Sequence, residues 1–217
     1  MRIAFLHTVG FLVERFRTLM RDAHPEVDSF HILNEGLLQD LLRHGASPAI
    51  TRRIVAQALL AAEAGADLVV FTCSSTSPAV DLARRMTEVP ILKIDDPMAA
   101  RAVAIGGRIG LVCTARSTVP ASEGLIRAHA AEAGRAVEIE TILLDDAYAA
   151  LMAGDRDRHD AMVTAEARAL AGRVDVLVLA QASLAHLRDG LASDGGTPVL
   201  ASPPLLMEEI GRRVRGE

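Results

Sequence analysis

The sequence predicts an α/β protein of two pseudo-symmetric lobes, each built on a four-stranded parallel sheet. Three observations carry this. Short apolar runs at residues 3–6, 68–71, 109–112 and 176–179 are continuous rather than alternating, as in strands buried on both faces. Helix-like stretches at 50–64, 122–133 and 159–171 lie between such runs. Alternating strand and helix implies a parallel sheet with right-handed crossovers. Finally, the chain contains itself twice. RIAFLHT from Arg2 resembles RIGLVCT from Arg108, ADLVVFTCSS from Ala66 resembles VDVLVLAQAS from Val174, and VPIL from Val89 resembles TPVL from Thr197. The offsets are 106, 108 and 108 residues.

The strands fall near 2–7, 27–33, 66–72 and 89–94, then near 108–113, 136–142, 174–180 and 197–200. Helices follow the last strand of each half, near 97–106 and 203–215. The repeat makes both of them cross between lobes, so the C-terminal helix is expected to pack on the first. This sets the first lobe as 1–95 plus 203–217 and the second as 96–202, with the join near Asp95 and Pro97.

Composition narrows the function. The chain has 217 residues, half of them hydrophobic, with no Trp, one Tyr and five Phe, so Ala, Val, Leu and Ile build the core. A net charge of −5 without a basic stripe argues against nucleic acid. No apolar run reaches the roughly 18 residues a membrane span requires. The N-terminus lacks the pattern of a signal peptide. Two cysteines far apart suit a reducing compartment, and a cytoplasmic enzyme is expected.

Ligands in open α/β sheets bind beyond the carboxyl ends of the strands, where strand order reverses. With order 2-1-3-4 in each lobe, four clusters gather there: His7 and Thr8, Thr72 to Ser75, Cys113 and Thr114, and Ala180 to Ser183. Facing lobes would bring them around one interlobe active-site cleft. In TCSSTSP, Ser77 reads as a helix N-cap and Pro78 as the first helical residue. Cys73 would then lie near a helix N-terminus, which favours a thiolate, while the Ser74 and Ser75 hydroxyls could hold a carboxylate. A buried structural thiol is the other reading of Cys73. Cys113, inside IGLVC, reads as core. His7 is either an acid–base group or a satisfied polar core residue. The remaining histidines lack metal-ligand spacing. The pairs Asp95–Asp96 and Asp145–Asp146 precede helices and read as caps, as does one of Thr114, Ser117 and Thr118.

The segments IAFLHT, TCSSTSPAVDLA, PILKIDDPMA, RIGLVCTARST, LLDDAYAALMAGDRDRHD, DVLVLAQASL and PVLASPPLL, in this order, resemble the aspartate/glutamate racemase superfamily. That group includes hydantoin racemases, maleate isomerases and arylmalonate decarboxylases. The resemblance implies two similar lobes, no metal, pyridoxal phosphate or other cofactor, a small carboxylate substrate, and a homo-oligomer, often a dimer. It implies two cysteines acting on opposite faces of a substrate α-carbon. Cys73 matches the first, and Ser74, Ser75, Thr114, Ser117 and Thr118 match carboxylate-binding stretches; Thr8 and Ser183 flank the same clusters. At the second cysteine the chain carries Gln181, whose amide does not transfer protons at neutral pH. The expectation is therefore a cofactor-independent racemase or isomerase using Cys73, with Gln181 and His7 in the catalytic set and His7, His186 or water as second proton carrier. The alternatives are a one-thiol decarboxylase or lyase on a small carboxylic acid, and a non-catalytic carboxylate-binding protein.

Overall fold

The computed structural model describes residues 1–192 and 196–217. The chain divides into two compact units, Met1–Ile94 with Leu206–Glu217, and Asp95–Leu205.

In the first unit the elements run β1 (Arg2–His7), α1 (Phe11–Ala23), β2 (Asp28–Leu33), α2 (Glu35–His44), α3 (Pro48–Glu63), β3 (Leu68–Phe71), α4 (Ser77–Ala83) and β4 (Ile91–Lys93). In the second they run α5 (Asp96–Ile105), β5 (Arg108–Cys113), α6 (Thr118–Glu132), β6 (Glu138–Leu143), α7 (Asp145–Met152), α8 (Arg156–Ala171), β7 (Val176–Leu179), α9 (Arg188–Ala192) and β8 (Val199–Ala201). Helix α10 (Ser202–Arg215) starts in the second unit and ends in the first.

Both sheets are wholly parallel, with orders β2-β1-β3-β4 and β6-β5-β7-β8. The reversal of strand order therefore lies between β1 and β3, and between β5 and β7. The inner strands β3 and β7 are buried at every residue, as unbroken apolar runs require. In the first unit Ala4, Leu6, Val69 and Phe71 face Ile54, Val55 and Ala58 of α3. On the other face Phe5 packs against Phe16 of α1, with ring centroids 5.4 Å apart. In the second unit Leu111, Cys113 and Val178 join Leu125 and Ile126 of α6. The alternate residues Val112, Leu177 and Leu179 join Val163 and Leu170 of α8.

The same devices start matching elements. The Ser47 hydroxyl caps α3 by accepting from the Ile50 amide at 3.3 Å. The Asp155 carboxylate caps α8 through the Arg158 amide at 3.1 Å. Asp67 accepts from the Arg2 amide at 2.7 Å, and Asp175 from the Arg108 amide at 2.9 Å, so each aspartate pins the start of a central strand.

The expected caps are corrected elsewhere. Ser77 is the first residue of α4 rather than its cap, because a 3-10 turn over Ser74–Thr76 precedes the helix and makes Thr76 the cap residue. Asp95 caps nothing with its side chain and instead accepts from the Ser202 hydroxyl, joining α5 to α10. Asp96 meets the His129 ring at 3.3 Å, and Asp145 pairs with Arg116. Ser117 precedes α6 without a side-chain cap bond, and Leu144 holds that place before α7. These carboxylates reach other elements because neighbouring cations and hydroxyls outcompete the backbone for them.

Two glycines give opposite predictions. A methyl group at Gly106 would lie 2.3 Å from the Asp175 Cβ, which carries the carboxylate that pins β5. Gly106→Ala should cost about 1–3 kcal/mol, as overpacking does. Gly124, inside α6, has nothing within 4 Å of its missing Cβ, so Gly124→Ala should stabilise by about 0.5–1 kcal/mol. Urea denaturation of both variants checks the pair.

Candidate functional site

At the carboxyl end of the first sheet the chain must leave β1 and β3 without losing its backbone partners. The Thr72 amide donates to the Leu6 carbonyl at 3.1 Å and the Asn34 amide to that of His7 at 2.9 Å. Beyond this ladder lies Cys73, half-buried, with extended backbone (φ −119°, ψ 114°). Its carbonyl accepts from the Thr76 amide at 3.1 Å and the Thr76 hydroxyl at 2.7 Å, which fixes the following turn. Ser74 is buried and Ser75 half-buried in that turn.

His7 is 1% exposed and stacks on His31, with centroids 5.1 Å apart. Its Nδ1 lies 2.9 Å from the Thr72 hydroxyl and its Nε2 lies 2.8 Å from His31 Nδ1. Both ring nitrogens are thus engaged, leaving none for a substrate. Burial, then His31 and then Arg17 hold its pKa down to about 3. Burial and Arg17 lower that of His31 to about 4, against a smaller pull upward from Glu14. The pair is neutral at pH 7, and His7 lies behind Thr72 as part of a hydrogen-bond chain. The Thr8 hydroxyl is buried without a hydrogen-bond partner among the described residues.

The second unit repeats the backbone and changes the side chains. The Ala180 amide donates to the Val112 carbonyl at 3.0 Å and the Leu144 amide to that of Cys113 at 2.8 Å. Gln181 holds the position matching Cys73, with the same extended backbone (φ −138°, ψ 140°), and begins a 3-10 turn over Ala182–Leu187. Its Oε1 accepts from the Thr114 amide at 2.6 Å, the Ala115 amide at 3.1 Å and the Thr114 hydroxyl at 3.1 Å. Backbone N–H groups only donate, so the amide has one orientation: oxygen on the donors, NH2 turned away. Thr114, fully buried, is spent on Gln181. Thr118 is buried, while Ser117 and Ser183 are half-buried.

Cys113 is fully buried in the core, and burial, then Asp95 and Glu123, push its thiol up to about 12. Neither cysteine is in a disulfide.

The structure thus joins His7 with Thr72, and Thr114 with Gln181. Sequence reasoning missed His31, although period-2 alternation in β2 would have placed Ser29 and His31 on one face. It also missed Asp160, whose two oxygens lie 2.7 Å from His159 Nδ1 and 2.7 Å from His186 Nε2. Burial pushes that carboxylate up, but the bonds to the two histidines together outweigh it and hold it below its usual range. It ties His186, at the end of the Gln181 turn, to α8. No sequence pattern announces this contact. Among the described residues no group of His, Cys, Asp or Glu could hold a metal ion.

A model of the Asp/Glu/Hydantoin racemase family matches residues 11–210. The chain belongs to that family. Membership supports an isomerase-type enzyme acting on amino acids or related acids. No curated protein sequence matches it. Among solved structures it is similar to the Francisella tularensis glutamate racemase, determined with D-glutamate, at 10% identity and TM-score 0.76, covering 99% of this chain and 81% of that one. The Picrophilus torridus aspartate racemase shares 13% identity at TM-score 0.71, covering 99% and 94%. A mutant of arylmalonate decarboxylase shares 16% at TM-score 0.63, covering 98% and 91%. At these identities the likeness is one of fold. Among the described residues no helix is long and apolar enough to cross a membrane.

Two predictions follow from the geometry of this family member. Iodoacetamide at pH 7 should alkylate Cys73 while Cys113 stays unmodified, because access and thiolate fraction control the rate; peptide mass spectrometry reads this. Stability should fall as pH drops from about 6.5 towards 4. His7 and His31 stay neutral in the fold, whereas in the unfolded chain they take up protons near the ordinary 6.5. The unfolded state therefore binds more protons across that window and is favoured there. Urea midpoints should decline over it, and less steeply in His31→Gln.

Proposed function

We propose that this chain is a cofactor-independent racemase- or isomerase-type enzyme in which Cys73 moves the proton at the α-carbon of a small carboxylic or amino acid. The observation that carries this is the placement of the two thiols. Cys73 is the half-buried one, at the strand-order reversal of its sheet, and Cys113 is sealed in a core with its thiol pushed up to about 12. As a base, the Cys73 thiolate takes the α-proton, leaving a thiol and a carbanion delocalised onto the substrate carboxylate. The Ser74 and Ser75 side chains, with the unpartnered Thr8 hydroxyl, are the polar groups for that carboxylate. Racemisation then needs a second donor for the opposite face. His186, oriented by Asp160, supports that role better than His7, whose two nitrogens are occupied. A reducing, cytoplasmic setting suits the thiol.

A second reading is favoured by Gln181. With its oxygen fixed on Thr114 and Ala115, it presents only amide N–H donors, which bind and do not exchange protons. A decarboxylase or lyase needs no second acid, because loss of CO2 generates the carbanion that one thiol protonates. Its fixed NH2 would then stabilise the oxyanion that forms.

A thermal-shift screen of small 2-substituted acids supplies a substrate, and turnover in D2O separates the readings. Deuterium incorporated on both faces of the α-carbon is expected for the racemase; incorporation on one face points to the one-thiol reaction. Cys73→Ser should lower turnover by ~10²–10⁴-fold, and full activity in that variant would end both readings. Gln181→Ala should mainly weaken binding, by about 1 kcal/mol.

A further inference from the structure

A pocket of about 570 Å³ lies in the first unit beside the end of α1 and β2, lined by Arg17, Arg21, His24, Ser29, Phe30 and His31 among others. None of its lining residues is acidic, and none belongs to the segments around His7 or Cys73. Among the described residues the two arginines have only weak ionic partners. Arg17 meets Glu14 at 3.6 Å and Arg21 meets Asp22 at 3.3 Å, all four side chains being more than half exposed. Pairs of that kind contribute little and yield readily to a better acceptor. The dipole of α1 accounts for Arg21, in its last turn, but not for Arg17 a turn earlier.

The second observation is His31. Its Nε2 is buried with no hydrogen-bond partner among the described residues, although its Nδ1 is engaged by His7. Arg17 is the charge that most opposes its protonation. A cation held beside a half-buried imidazole whose Nε2 is buried and unspent is an arrangement that a negative ligand relieves.

We propose that this pocket is a second binding site, for a small polyvalent oxyanion bearing phosphate or carboxylate groups. Arg17 and Arg21 supply charge-assisted hydrogen bonds, and Ser29 and the Nδ1 of His24, whose Nε2 is taken by the Met207 carbonyl at 2.9 Å, supply further polar contacts. Binding there cancels the field of Arg17 on His31, which is linked through His7 to the Thr72 hydroxyl, next to Cys73. The site thus borders the His31–His7–Thr72 chain and does not include the Cys73 turn.

The test titrates the full chain with inorganic phosphate and with citrate by calorimetry, at ionic strength held constant with sodium chloride. The expected result is saturable binding of at least one of them. The preferred one distinguishes a phosphoryl from a carboxylate ligand. Arg17→Gln and Arg21→Gln should each weaken it about tenfold, the loss expected of one charge-assisted bond. Carboxymethylation of Cys73 should leave it unchanged. The anion should also raise the pH at which the His31 ring titrates by NMR in the wild-type protein, a readout independent of the variants. Three results would overturn the site: no saturable binding below ~10 mM, affinity indifferent to both substitutions, or binding lost on carboxymethylation, which would place the anion at the Cys73 cluster.

Discussion

At the carboxyl edge of each sheet the ladder of hydrogen bonds ends while the chain is still buried, and this is the constraint from which the chemistry of the molecule grows. The strands β1, β3, β5 and β7 are buried nearly throughout, so every backbone group at their ends must find a partner. The first unit answers with a hydroxyl: Thr72 lies 3.1 Å from the Leu6 carbonyl and 2.9 Å from the His7 ring. The second answers with an amide: Gln181 Oε1 takes the amides of Thr114 and Ala115. The backbones are closely alike, and the side chains that complete them are not.

That difference assigns unequal roles to equal positions. His7 and Cys113 both end a first strand, and both are withdrawn from solution chemistry by burial. Cys73 and Gln181 both follow a third strand and start a 3-10 turn. One carries a thiol, which exchanges protons, and the other an amide, whose oxygen accepts from Thr114 and Ala115 and whose NH2 donates without exchanging a proton at neutral pH. Duplication preserved the scaffold, and the chemistry diverged at single residues on it.

Most of the fold was legible because it rests on periodicity. Continuous apolar runs located β1, β3, β5 and β7 to within about two residues, and the carboxyl-end rule with a 2-1-3-4 order led to the residues at their ends. What stayed hidden depends on competition among side chains. Ser77, Asp95, Asp96 and Asp145 all have the local pattern of helix caps, and a pattern cannot show that Ser202, His129 or Arg116 will reach those carboxylates first. The repeat pairs Cys73 with Gln181, yet nothing in it reveals that the Gln181 oxygen is already bound. The His7–His31 and Asp160–His186 contacts escaped for the same reason, since each joins two different elements.

The two units also handle histidine in opposite ways, and this follows from what surrounds each ring. His7 and His31 face one another, aromatic rings and a nearby arginine, with no carboxylate bonded to either, so the fold keeps them neutral. His159 and His186 share the Asp160 carboxylate, which orients the exposed His186 ring. A neutral imidazole chain relays hydrogen bonds and is poorly suited to storing a proton. The contrast follows from the partner each ring has: a second imidazole for His7 in the first unit, a carboxylate for His186 in the second.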